Sequence, residues 1–264
     1  MPTHLSISSS TFTHTPSERH YHSDLSIWLS VDPMSDKYPG VSPYVYCANN
    51  PVRLKDEDGR DIYEFDKYGN LINRIENKDN DIIRVVTKRG RVLSESDPYN
   101  FGTIIEANSN MCSAEKTTLL IKDDKSRIAI FEQLARNTRV EWGTIHAENG
   151  SDEKNYILTS GRDDWVEMRN AKRQLYDDKY TAKEISHSHP KRLGNNCPSG
   201  YGFLNDKIQD GDRGAFIEDR EHWPNVVVKV FDANNGHYYE LGPTANDIID
   251  IDRKGERKPY NPYN

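Results

Sequence analysis

The chain has 264 residues, a formal net charge of −7 and 34% apolar residues, a share that includes fifteen tyrosines. That balance argues against a surface dominated by phosphate binding, and no apolar run is long enough to span a bilayer. Three cysteines, Cys47, Cys112 and Cys197, are too far apart and too odd in number to form a disulfide framework.

Residues 1–25 are rich in Ser, Thr and His, have no ligand-like spacing and lack the basic start and apolar stretch of a signal peptide. They are expected to be a flexible lead-in. Ordered structure is expected from Ile27-Trp28, as short strands broken by Asp-Pro, Pro-Gly, Asn-Pro and Asp-Gly turn signals up to about residue 62. The string WLSVDPMSDKYPGVSPYVYCANNPVRLKDEDGRDI in this stretch resembles the RHS repeat-associated core of bacterial polymorphic toxins. In that family the segment closes a YD-repeat shell and precedes a variable toxin domain. Asp56-Glu57-Asp58-Gly59 stands where the family has Asp-Pro-x-Gly, its self-cleavage ending. The resemblance implies that this chain is the C-terminal end of such a protein, or a truncated copy, secreted or delivered as a bacterial effector.

Residues 63–124 are expected to be a β-hairpin connector. Ile62–Phe65 and Leu71-Ile72 flank one turn, residues 66–70, and Ile82–Val86 and Arg91–Leu93 flank another, Lys88-Arg89-Gly90. A helix is expected at 126–137, with Ser126 as N-cap and Ile128, Phe131, Leu134 and Ala135 on one face. The strand that follows, Arg139–His146, sets Val140, Trp142 and Thr144 against Glu141, Gly143 and Ile145. An acid in mid-strand is costly to bury unpaired, so Glu141 is either special or at a solvent-facing edge. A strand at Asn155–Ser160 is followed by an ambiguous stretch around Trp165–Tyr176.

Then comes Glu184-Ile185-Ser186-His187-Ser188-His189-Pro190. Residues two apart on a strand share a face, so His187 and His189 can offer two imidazoles to one ion; the alternative is two surface histidines beside a turn. Pro190 suits a strand end. Ser199, Asp206, Asp210 and Asp212 follow as candidate third ligands, and two His with one carboxylate is a common catalytic zinc arrangement. Gly211–Glu218 looks like a helix start with Asp212 in its first turn. Asn225–Phe231 and His237–Leu241 read as strands joined by an Asn235-Gly236 turn. Residues 243–264 read as a polar tail.

The order helix, Glu-x-Gly strand, His-x-His-Pro strand, then Ser and Asp leading into a helix resembles a JAB/MPN (JAMM-motif) metalloprotease domain over residues 125–242. More closely it resembles the JAB-like toxin domains that follow RHS cores. The resemblance implies an α+β fold: a JAB/MPN-like mixed β-sheet packed with helices in deaminase-like layers, preceded by a small β-rich RHS-core remnant. It implies Zn²⁺ on His187, His189 and an aspartate, with Glu141 as catalytic acid/base and Ser199 as motif serine. In the usual pattern Ser and Asp follow the second His by about eight and eleven residues; Ser199 stands ten after His189, so an insertion is needed. Asp212 is preferred because a helix first turn holds a ligand rigidly, with Asp206 and Asp210 as alternatives. The implied reaction is hydrolysis of a peptide or isopeptide bond in a protein substrate, ubiquitin-like targets included, with a cognate immunity protein as partner and no nucleic acid. The competing readings are a non-catalytic JAB-like binding module and a metal-dependent ββα nuclease toxin.

Overall fold

A computed structural model describes residues 21–22, 27–28, 61–75, 80–100, 102–110, 112–191, 197–201 and 211–261. The chain divides into two units, Met1–Glu57 and Asp58–Asn264. In the first, the described residues form two short strands, β1 (Tyr21–His22) and β2 (Ile27–Trp28), paired antiparallel. Most of the segment expected to be an RHS core, including the aspartates before Gly59, lies outside the described residues.

The second unit opens with β3 (Ile62–Phe65), β4 (Leu71–Ile75), β5 (Ile82–Val86) and β6 (Val92–Glu95). They form a four-stranded sheet in the order β4-β3-β5-β6. Both expected turns are present, and each needs a glycine in the left-handed region: Gly69 at φ 75° and Gly90 at φ 77°.

The main sheet is assembled from β7 (Ile104–Ser109), β8 (Thr117–Ile121), β9 (Gly143–Asn149), β10 (Asp152–Thr159) and β11 (Thr181–His189). It is completed by β12 (Val227–Asp232), β13 (Tyr238–Glu240), β14 (Ile249–Ile251) and β15 (Arg257–Pro259). The nine strands run in the order β15-β14-β13-β12-β11-β9-β10-β8-β7. The sheet is mixed: β11 and β12 are parallel, and the remaining pairs are antiparallel.

The described helices are α1 (Asp124–Asn137), α2 (Arg169–Asp177) and α3 (Gly211–His222). On one face of the sheet, Ile130, Phe131 and Leu134 of α1 and Tyr63, Phe65 and Ile83 of the small sheet pack with Leu119, Trp142, Ile157 and Phe231. On the other, Met168, Ala171, Leu175 and Phe216 pack with Ile145, Leu158, Ile185, Val228 and Val230. The alternation expected from Val140 to Ile145 therefore has a physical basis, since its two faces look into two different cores. The architecture is α+β, a mixed sheet with helices on both faces.

Helix α1 starts two residues earlier than expected. Its cap is Asp123, whose carboxylate accepts the Ser126 N–H at 2.9 Å, so Ser126 is inside the first turn. Its buried face also differs, with Ile130 in the core and Ile128 half-buried. Arg127 is only 1% exposed. It pairs with Asp124 at 2.6 Å and Glu184 at 3.0 Å, and donates to Thr144 Oγ1 at 2.8 Å. A buried guanidinium is tolerated when its donors are met in this way.

The sheet crosses both boundaries expected for the second half of the chain. Strands β7 and β8 precede residue 125, and β14 and β15 lie beyond residue 242, where a polar tail was expected. Ile248, at 0% exposure, belongs to the core shared with α2 and α3, so the C-terminal stretch is held by burial as well as by strand pairing. Limited proteolysis should therefore leave a stable product running from near Asp58 to near Tyr260. A stable product trimmed to 120–242 would show that the outer strands are dispensable. No helix among the described residues is long and apolar enough to cross a membrane.

Candidate metal centre

Strand β11 lies inside the sheet, between β9 and β12. Its alternation sends Ile185, His187 and His189 toward the face of α2 and α3 and the intervening serines the other way. Ile185 belongs to the core on that face. Ser188 donates its N–H to Trp142 O at 2.8 Å and accepts the Trp142 N–H on Oγ at 3.0 Å. This reciprocal pair extends the β9–β11 ladder beyond its last registered pair, Gly143 with His187. The same register, carried two residues on, brings Glu141 level with His189 and on the same face.

Glu141 thus stands just before β9 rather than in mid-strand. It is 7% exposed, not at a solvent-facing edge. Its backbone is anchored on both sides, its N–H donating to Arg162 O at 2.7 Å and its carbonyl accepting from Thr159 Oγ1 at 2.6 Å. Gly143 has a separate explanation. A Cβ there would lie 2.5 Å from Met168 Sδ, so the missing side chain is what lets the Val166–Met168 segment cross the sheet beside His187.

The third element is α3, whose first turn carries Asp212, 6% exposed. Asp212 Oδ1 lies 2.7 Å from His187 Nε2, and Oδ2 lies 3.4 Å from His189 Nε2. The two imidazole centroids are 5.3 Å apart. One ligand atom from each of His187, His189 and Asp212 falls within 4.8 Å of the others, the one such group among the described residues. Burial pushes the Asp212 carboxyl up, but the two imidazoles outweigh it and hold the group well below the usual carboxylate range. Two imidazole nitrogens and one carboxylate oxygen converging on a point is the donor set of a zinc site with one open position, so the residues fit that ion.

Ser199 lies beside this group. Its N–H donates to Asp212 Oδ2 at 2.6 Å, and its Oγ accepts the Asp212 N–H at 2.9 Å. Asp206 and Asp210, the alternative ligands, lie outside the described residues. Cys197 is half-buried and is not part of the ligand group.

Glu141, His187, His189, Ser199 and Asp212 all line one cleft of about 770 Å³. The walls of that cleft are residues the sequence pattern left undecided. Trp165 and Met168 come from the segment before α2, Arg169 and Lys172 from α2 itself, and Trp223 from the residue just after α3. Lys172 Nζ pairs with Asp219 Oδ1 at 2.5 Å, tying α2 to α3 across the cleft. Met168, Ala171 and Leu175 are the buried positions here. Their spacing of three and four is helical, and it was the available signal for α2.

Glu184 has a different environment. Its carboxylate pairs with Arg127 and Lys229, and it does not line the cleft. Burial raises its carboxyl, and the two cations lower it further than burial raises it. It is an ion-pair partner on the α1 side of the sheet.

No curated protein matches the chain. Residues 119–216, from β8 into α3 with all five of these cleft residues included, match the family model described as JAB-like toxin 1, which supports a JAB-like toxin domain in this part of the chain.

Proposed function

We propose that this domain hydrolyses a peptide or isopeptide bond as a JAMM-type metallopeptidase, acting as the toxin region of an RHS-type polymorphic toxin. The observation that carries the reading is the convergence of His187, His189 and Asp212 in a cleft that also presents Glu141 and Ser199. The three ligand residues would hold Zn²⁺. Bound there, the ion supplies a water acidified toward neutrality and a Lewis acid for the scissile carbonyl.

The chain's own residues supply the rest. Glu141 accepts the proton of the attacking water and returns it to the leaving amine nitrogen. Ser199 Oγ already accepts from the Asp212 N–H, which leaves its own hydrogen to donate to the developing oxyanion. The cleft walls, buried at Met168 and Trp223 and exposed at Trp165 and Arg169, hold an extended chain across the site. The RHS-core remnant, the deaminase-like layering of the domain, delivery as an effector and neutralisation by a cognate immunity protein belong to the same reading.

The test is incubation of the purified chain with labelled ubiquitin chains, with an unrelated labelled protein and with plasmid, each with and without a chelator. Chelator-sensitive cleavage of a protein substrate is the expected result. Chelator-sensitive plasmid cleavage would favour a nuclease. Zinc binding or protein binding with no cleavage of any of them would leave a JAB-like binding module.

A further inference from the structure

We infer that Ser199 and Asp212 form a capping box split across thirteen residues, and that Ser199 is a positioning residue for the metal ligand. The inference rests on the reading of Asp212 as a ligand.

In an ordinary capping box the N-cap serine and the acid lie three residues apart at the start of a helix. The serine oxygen accepts the acid's N–H, and the acid's carboxylate accepts the serine's N–H. Both bonds are present here, at 2.9 and 2.6 Å, between residues thirteen apart. A third bond, from the Arg213 N–H to Ser199 O at 3.2 Å, joins the next residue of α3 to the same serine. Ser199 therefore meets two of the orphan donors in the first turn of α3 although it does not directly precede that helix.

The serine is itself held by the body of the domain. Tyr201, 7% exposed, packs in the α2–α3 core and donates its hydroxyl to Gly242 O at 2.7 Å. Arg213 Nε donates to Pro243 O at 3.0 Å, so both sides of the junction are tied to the stretch after β13. The close approach depends on Gly211. It has φ 67°, and a Cβ there would lie 2.1 Å from Ser199 Oγ.

The consequence is that covalent spacing does not place the ligand. Asp212 is placed by hydrogen bonds to a segment anchored elsewhere. Its Oδ2, the oxygen nearer His189, is the one that accepts the Ser199 N–H. An ordered partner of this kind typically changes metal affinity by about 10–100-fold when lost.

The experiment measures zinc affinity of the full chain by competition with a chromogenic chelator. Ser199→Ala is expected to bind zinc about 10–100-fold more weakly than wild type. Thr caps nearly as well as Ser, so Ser199→Thr is expected to stay within about threefold of wild type. Gly211→Ala leaves both polar partners in place but pushes them apart, and is expected to weaken zinc in the same direction as Ser199→Ala. Cobalt-substituted Ser199→Ala should also show altered visible absorption, because one ligand has lost its fixed orientation. Unchanged zinc affinity in Ser199→Ala, with only turnover lost, would overturn the inference and leave the metal reading standing. A wild-type chain that binds no zinc would overturn both.

Discussion

Glu141→Gln is expected to keep its zinc and its melting temperature while hydrolysis falls about 10²–10⁴-fold, the usual loss for a positioned general base. The expectation follows from how Glu141 is held. Both of its backbone bonds, to Arg162 O and from Thr159 Oγ1, are independent of the carboxylate, so the isosteric amide keeps them. Its side chain faces the cleft with His187 and His189, and it is not one of the three converging ligand residues. Gln preserves the shape and cannot take up the proton. If the variant unfolds or releases zinc, Glu141 is structural or a ligand. If hydrolysis survives, the base lies among the other cleft carboxylates, with Glu167 and Glu218 the ones to test. Glu184, although it lies on the histidine strand, is then not a candidate, because Arg127 and Lys229 occupy its carboxylate away from the cleft.

Replacing His187 and His189 together by Ala is expected to take zinc from one ion per chain to none, measured by elemental analysis after gel filtration. Asp212→Asn should lose more affinity than Asp206→Asn or Asp210→Asn; the largest loss at either of the latter would put the third ligand outside α3. The pH dependence has a definite sign. Zinc requires unprotonated imidazole nitrogens, so protons compete with it as pH falls. Asp212 does not add to that competition, because the imidazoles hold its carboxyl below the usual range and it stays ionised. A group depressed in this way contributes stability above the unfolded carboxylate value and loses it only as pH falls through the lower folded value. The apo domain should therefore stay folded at a pH where zinc has already left. Zinc retained in the double His variant would place the site elsewhere, and simultaneous unfolding and zinc release would show that the ion holds the domain together.

Several features were legible before any tertiary structure, and they share a physical origin. A strand repeats every two residues, so His187 and His189 had to share a face once β11 was recognised. An aspartate in a helix first turn, an Asn-Gly hairpin and glycines at sharp turns are local chemistry, and Asp212, Gly236 and Gly69 occupy those places. The ambiguous stretch at Trp165–Tyr176 carried a helical spacing too, in Met168, Ala171 and Leu175, but over too short a span to decide it against turns.

What packing alone decided involves residues far apart in the chain. Glu141 and His189 become neighbours because Ser188 and Trp142 extend a ladder between two strands forty-six residues apart. The cleft has its wall because Met168 crosses over Gly143, a contact that no periodicity encodes. The burial of Arg127 depends on Thr144 and Glu184, seventeen and fifty-seven residues away. Asp212 reaches the histidines through a serine thirteen positions upstream, where spacing along the chain pointed only to an insertion. By itself, then, the sequence determined which side chains were fit to bind a metal, because face and cap are set by nearest neighbours along the backbone. Only the tertiary structure decided which of them meet, because meeting depends on strand order and on hydrogen bonds that close over long stretches of chain.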